Sequence, residues 1–390
     1  MKLVTLSTLY PNVVQQHHGI FVEQRLRHLV EAGDIESKVV APVPWFPFKS
    51  EIFGTYAKYA RVPKEDNRFD IPIIYPCYIV IPKVGMSLTP FLMAMSVRLT
   101  LKRMIKNGYD FDLIDAHYFY PDGVAAMILG KIFNKPVVIT ARGTDLNLIP
   151  RYRIPKRLIK WAAANATALI TVCTALKDVL VELGIPTEKV SVLRNGVDLD
   201  MFRPPEDRNT LRKKLGIHRR TILSVGHLIP RKGHDLVIEI LERIADLDLI
   251  IIGEGSEDRI LHDLVVQKKL QRRVRFVKTL PQEILRDYYG AVDVLVLASS
   301  REGWANVLLE SMACGTPVVA TKVWGTPEVV TNPVAGILAN ARDADSLSKS
   351  VQELIENYPD RGMTRQYAEK YSWDETSLGQ KEIFTKILVD

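Results

Sequence analysis

The chain has 390 residues, 47% hydrophobic and 25% charged, a composition that suits roughly two or three globular domains and excludes a disordered protein. Its net charge of +7 is lopsided: residues 1–195 hold 25 Lys and Arg against 16 Asp and Glu, and the remainder is slightly acidic. Nucleic acid is not an expected partner, because no nucleic-acid module is present and the second half lacks a basic footprint.

Short apolar strands alternate with amphipathic helices along the whole chain, the α/β pattern of parallel sheets covered on both faces. In the first half, strands are predicted at Leu3–Ser7, Lys38–Ala41, Leu113–Ala116, Val137–Thr140, Ala168–Val172 and Val190–Leu193. Two basic amphipathic runs lie among them. Pro90–Lys106 carries Phe91, Met95 and Leu99 with Arg98, Lys102, Arg103 and Lys106, and Arg151–Trp161 carries Tyr152 and Ile154 with five cations. Such runs suit an anionic membrane surface or an anionic acceptor, and equally a core-facing helix with a solvated basic face. Phe202–Asn209, with Pro204-Pro205, reads as a linker. In the second half, strands are predicted at Thr221–Val225, Leu249–Ile252, Val274–Phe276, Val292–Leu297, Val318–Thr321 and Gly336–Leu338. Two doubly wound sheets follow, each expected to bind ligand beyond the carboxyl ends of its strands. Cys77, Cys173 and Cys314 lack metal spacing and read as reduced structural thiols of a cytoplasmic protein. The opening residues lack a signal-peptide pattern, and no run approaches the ~20 apolar residues of a membrane span.

Three second-half segments carry chemistry. After the strand Thr221–Val225 comes Gly226, then Arg231-Lys232-Gly233. Two adjacent cations at the carboxyl end of a strand can hold a diphosphate, Arg as a planar fork and Lys as a point charge. A solvent-facing pair in an ordinary loop is the alternative. Leu249–Ile252 runs into the tight turn Gly253-Glu254-Gly255. Glu302 and Gly303 leave the strand that begins at Val292, Trp304 and Ala305 follow, and Asn306–Ala313, with Val307 and Glu310, reads as a helix ended by Gly315. The two carboxylates thus flank a helix N-terminus that attracts anions, a combination suited to a ligand joining phosphate to many hydroxyls. Asp198-Leu199-Asp200, Asp246-Leu247-Asp248 and His17-His18 could suggest metal ligands, but their positions favour solvated turns, and no metal or cofactor is expected.

In order and spacing, these segments resemble the C-terminal half of a retaining glycosyltransferase of family four with the GT-B fold. Asn195-Gly196-Val197-Asp198 and Ala313-Cys314-Gly315-Thr316-Pro317 match that family's flanking segments. Tyr10-Pro11-Asn12, Gly19-Ile20-Phe21, Ala116-His117, Pro121-Asp122-Gly123 and Gly143-Thr144-Asp145-Leu146-Asn147 resemble the subgroup making cell-envelope polysaccharides, teichuronic acid glycosyltransferases included. The resemblance implies two Rossmann-like domains facing across a deep cleft. Residues 1–195, with a returning C-terminal helix 373–390, would bind acceptor, and residues 196–372 the donor. It implies metal-independent, retaining hexosyl or N-acetylhexosaminyl transfer from a UDP- or GDP-linked sugar to a glycan or lipid-linked acceptor. The setting would be cytoplasmic, with peripheral contact at the inner face of the membrane.

The implied catalytic residues are Glu302, Arg231, Lys232 and His117, the last reaching the donor sugar. Glu310 would bridge the ribose hydroxyls, and Lys278-Thr279-Leu280 would seat the base without deciding between uracil and guanine. Gly19, Gly226, Gly253, Gly255 and Gly303–Val307 complete the donor set, with Asp145, Arg142 and Asn147 on the acceptor side, where Asp145 would position the acceptor or His117. Arg142 stands where the family commonly has His, and Arg194 where it commonly has Pro. A nucleotide-sugar epimerase of the same architecture is the alternative. A nicotinamide dehydrogenase is disfavoured because Gly253-Glu254-Gly255 lacks the third glycine of its fingerprint.

Overall fold

A computed structural model describes residues 1–50, 52, 54–80 and 85–389. The chain divides into two compact units, one of Met1–Asn195 with Trp373–Asp390 and the other of Gly196–Ser372.

The first unit contains β1 (Lys2–Leu6), β2 (Glu36–Val40), β3 (Val43–Pro44), β4 (Glu65–Arg68), β5 (Ile71–Ile74), β6 (Cys77–Tyr78), β7 (Leu113–His117), β8 (Val137–Ala141), β9 (Ala168–Thr171) and β10 (Val190–Val192). Among the described residues, eight of these form one sheet in the order β10-β9-β8-β7-β1-β2-β5-β4, and β3 pairs β6 separately. All ladders of the large sheet are parallel except β4–β5. The sequence reading missed this pair and β3–β6. β4 is a polar edge strand, Glu-Asp-Asn-Arg, and carries no apolar alternation to read. Leu3, Leu26, Val39, Leu113, Val138 and Ile170 pack in the core, and the C-terminal helix Trp373–Val389 adds Phe384 to it.

The second unit contains β11 (Arg220–Val225), β12 (Leu247–Ile252), β13 (Val274–Val277), β14 (Val294–Leu297), β15 (Val318–Thr321) and β16 (Gly336–Ala339). They form a parallel sheet in the order β13-β12-β11-β14-β15-β16. Counted within the unit this is 3-2-1-4-5-6, the doubly wound dinucleotide-binding order, whose reversal lies between β11 and β14. With helices on both faces, every central strand position is covered, which is why Leu249–Ile252 is apolar without alternation. The expected linker Phe202–Asn209 is a correction. It lies inside the second unit, where Phe202 is buried against Tyr289 and the Asp207 carboxylate caps helix Arg208–Lys214.

Candidate functional site

The reversal between β11 and β14 brings two loops together at the carboxyl end of the second sheet. The loop after β11 winds into a single turn, Pro230–Lys232, before helix His234–Arg243. The loop after β14 holds Glu302, and helix Asn306–Ala313 follows with the predicted bounds. Their side chains meet. Lys232 Nζ lies 2.6 Å from Glu302 Oε1, and Arg231 Nη1 lies 3.4 Å from Oε2. The Ser299 hydroxyl donates to Oε1 at 2.6 Å, and Arg231 also donates to the Arg301 carbonyl at 2.9 Å. Burial acts to raise the Glu302 carboxyl, but Lys232, Arg231 and Ser299 outweigh it and hold it below the usual carboxylate range. The site therefore holds a buried anion between two partly buried cations.

Glu310 lies about one turn into that helix and is also buried, yet its environment is the reverse. Its Oε2 accepts a hydrogen bond from the Tyr289 hydroxyl at 2.9 Å, and no cation among the described residues pairs with it. Burial pushes its carboxyl up to about 7. Two glutamates one short helix apart thus differ in protonation behaviour because one faces a Lys-Arg pair and the other a phenol.

The turn Gly253-Glu254-Gly255 packs against the β11 loop. A Cβ on Gly253 would lie 1.9 Å from the Gly226 carbonyl oxygen, and one on Gly255 would lie 2.3 Å from the Leu228 oxygen. Their glycine character follows from this close approach alone. Lys278 and Thr279 are exposed beyond β13, with Leu280 half-buried. Trp304 and Ala305 are buried, Trp304 beside the Tyr371 ring at 6.2 Å, while Asn306 and Val307 are half-buried at the helix start.

In the first unit the strand order also reverses, between β1 and β7, and His117 ends β7 there. Its Nε2 lies 3.0 Å from Asp115 Oδ2, and its Nδ1 meets an Arg142 guanidinium nitrogen. A guanidinium only donates, so Nδ1 accepts and Nε2 carries the proton given to Asp115. Burial, together with the Arg142 charge, lowers the imidazole to about 4 despite Asp115, so the ring is neutral. Both ring nitrogens are engaged, and His117 is 1% exposed. Asp145, expected to position the acceptor or His117, lies beside the loops that hold His117. It is fully buried and accepts from the backbone N–H groups of Gly143 at 2.7 Å, Phe119 at 2.9 Å and Arg142 at 3.1 Å. It clamps the loops around His117 and touches no exterior. Arg142 donates to Asn195 Oδ1 at 3.0 Å, and Asn147 is buried nearby in the turn that Asp145 organises. Gly19, at φ 72°, starts helix Ile20–Glu31, and a Cβ there would lie 2.3 Å from the Leu9 carbonyl.

Several residues escaped the sequence reading. Gln380, from the C-terminal helix, donates to Asp115 at 2.9 Å and accepts from Arg25 Nε at 2.8 Å, so the support beneath His117 comes from residues 265 positions away. No local pattern signals it. Tyr289 likewise reaches Glu310 from another helix, whereas Ser299, three residues before Glu302, was within reach of a local reading. Cys77, expected among structural thiols, is exposed. Among the described residues no group of three or more metal-ligating side chains occurs.

Comparison with known proteins agrees with this geometry. Residues 20–201 match the family model described as Glycosyltransferase Family 4, and residues 207–371 that described as Glycosyl transferases group 1. The chain is 27% identical over 358 residues to a Bacillus subtilis protein provisionally named as the teichuronic acid biosynthesis glycosyltransferase TuaC, covering 90% of this chain and 88% of that one. It is 33% identical over 310 residues to the D-inositol 3-phosphate glycosyltransferase of Thermobispora bispora, covering 71% of each. The structure of Anabaena HepE in complex with UDP-glucose superposes with a TM-score of 0.75 at 19% identity, covering 99% of this chain and 100% of that one. These similarities lend the epimerase alternative no support. With two Rossmann-like α/β units of the GT-B type and matches running through both, the chain belongs to glycosyltransferase family 4.

Proposed function

We propose that this glycosyltransferase moves a hexosyl or N-acetylhexosaminyl group, with retention and without a metal, from a UDP- or GDP-linked donor. The acceptor would be a glycan or lipid-linked intermediate of cell-envelope polysaccharide, met on the cytoplasmic side of the membrane. The observation that carries the reading is the buried Glu302 held between Lys232 and Arg231 at the start of helix Asn306–Ala313. Sugar transfer from a diphosphate needs the leaving group neutralised while the anomeric carbon becomes cationic. Arg231, Lys232 and the helix N-terminus supply the positive potential, and Glu302 favours positive charge on the ring. Glu310 is suited to the paired ribose hydroxyls. His117 takes part by exchanging its Arg142 partner for a donor hydroxyl. Retention would follow from front-face attack by the acceptor, with no enzyme nucleophile. The UDP-glucose held by the Anabaena structure and the teichuronic acid role given to the Bacillus relative support this reading.

The test is a screen of nucleotide sugars for thermal stabilisation and slow donor hydrolysis in EDTA. A UDP- or GDP-sugar is expected to stabilise the chain. Replacing Arg231 and Lys232 together with Ala should weaken that nucleotide by several kcal/mol, each charge-assisted contact contributing roughly 1.5–3. Unchanged affinity in the double variant defeats the donor site. Activity lost in EDTA and restored by manganese defeats metal independence.

A further inference from the structure

Arg142 follows strand β8 at the carboxyl end of the first sheet, one strand from its reversal, where a doubly wound sheet takes its ligand. Its side chain is 8% exposed, and its guanidinium keeps its charge in proteins. A buried guanidinium ordinarily meets a carboxylate, because an unpaired charge is costly out of water. This one meets neutral groups. One Nη donates to the Asn195 amide oxygen at 3.0 Å, and the other meets His117 Nδ1. The Phe21 ring centre lies 5.5 Å from the guanidinium carbon, and Nε has no partner among the described residues. The neighbouring carboxylates are engaged elsewhere. Both oxygens of Asp145 accept from backbone N–H groups, and Asp115 Oδ2 accepts from His117 and Gln380. Gln380 also accepts from Arg25, so that cation reaches Asp115 through one amide, a link Arg142 lacks. Burial and the Arg25 charge disfavour the Arg142 cation and push its pKa well down, an effect that Asp115 and Asp145 offset only in part.

We infer that Arg142 is a specificity-determining residue that binds the carboxylate of an acidic sugar. The inference rests on the sugar-transfer reading proposed above and names the substrate class that site takes. Geometry and charge select a planar monoanion. Nε and its adjacent Nη form the flat fork that grips a carboxylate with two parallel bonds, and Nε is the donor left over. A carboxylate supplies one negative charge to one uncompensated cation. A phosphate monoester brings about −1.5 to −2, beside the buried acids Asp115, Asp122 and Asp145. A neutral sugar leaves the fork without its anion. The carboxylate would also draw the guanidinium away from His117 Nδ1, leaving that nitrogen to accept from a sugar hydroxyl. An acidic substrate thereby readies His117, whereas a neutral one leaves it capped.

Titration of the full chain with methyl glucuronide, methyl glucoside and inorganic phosphate, each with and without UDP or GDP, tests the acceptor as the source of the carboxylate. UDP-glucuronate against UDP-glucose, and GDP-mannuronate against GDP-mannose, test the donor. In one arm the acidic sugar is expected to bind on the order of tenfold or more tightly than its neutral counterpart, as one charge-assisted bond gives. Phosphate should bind no better than the glucoside. Arg142→Gln should erase the preference, and Arg142→Lys, which keeps the charge but loses the fork, should retain only part of it. Circular dichroism and affinity for bare UDP or GDP should be unchanged in both variants. Equal affinity for acidic and neutral sugars in both arms overturns the proposal. So does phosphate binding more tightly than the glucuronide, or a preference that survives Arg142→Gln. If the glutamine variant fails to fold, the unmutated comparison and Arg142→Lys decide. A chain that no nucleotide stabilises, yet that prefers the glucuronide, defeats the donor site and leaves Arg142 with its ligand.

Discussion

At the scale of single residues, the candidate site is two carboxylates given opposite characters by their neighbours. Glu302 is ionised because Lys232 and Arg231 repay its burial, and a bound diphosphate would draw those cations toward itself. Glu302→Ala should therefore lower kcat by two or more orders of magnitude, roughly 3 kcal/mol of transition-state stabilisation, while nucleotide affinity stays level or tightens. Steady-state kinetics at saturating donor with nucleotide titration decide it, and near-normal turnover would remove Glu302 from the mechanism. Glu310 behaves otherwise. Its carboxyl rises on folding from an ordinary 4.5 to about 7, so the folded chain holds the proton more tightly than the unfolded one. Stability from this group is complete below about pH 4.5 and falls as pH rises through 7, by about 3 kcal/mol in all. Glu310→Gln should flatten that decline in urea titrations between pH 5 and 8. An ionised carboxylate accepts from two ribose hydroxyls more strongly than its acid does, so the same variant should abolish a gain in nucleotide affinity through pH 7. A decline that survives in Glu310→Gln assigns it to another group.

The element scale explains what could be read ahead and what could not. Helix Asn306–Ala313 and strand β15 begin and end where the residue pattern predicts, each a run of one periodicity, the helix followed by Gly315 and the strand opened by Pro317. β14 starts two residues later than predicted, since the Val292 carbonyl is taken by Arg208 and Arg361 instead of a neighbouring strand. Gly253, part of the donor set that the resemblance implies, is also required by packing, for the β11 and β12 loops touch there. At φ 155° with the Gly226 oxygen 1.9 Å from any Cβ, Gly253→Ala should destabilise the second unit by about 1–3 kcal/mol or more. Thermal melts with and without nucleotide measure this. A Tm unchanged by the substitution would mean that the loop relaxes at no cost.

On the scale of the whole molecule, the C-terminal helix belongs to the first unit, although 177 residues of the second unit separate it from the rest. It supplies Phe384 to the core and Gln380 to the buried pair Arg25 and Asp115. Deleting residues 373–390 should leave a buried cation and a buried carboxylate without that bridge. The cost is several kcal/mol, since unpaired buried polar groups lose about 1–3 each, more when charged. The expected outcome is early unfolding of the first unit with nucleotide stabilisation of the second retained, read by hydrogen exchange. Exchange unchanged around Asp115 and His117 would show the helix to be dispensable. The sequence by itself determined the fold class, the twin sheets and the strand–loop–helix segments carrying Arg231, Lys232, Glu302 and Glu310. These rest on local periodicity, on turn residues and on spacings within one strand–loop–helix unit. Only the tertiary structure decided that Lys232 pairs with Glu302, that Arg142 and Asp115 occupy both nitrogens of His117, and that Asp145 is a backbone clamp. It also turned Phe91, Met95 and Leu99 outward. Those outcomes depend on which distant side chains meet, and on which face of a helix the sheet covers, and neither is encoded in any one stretch of chain.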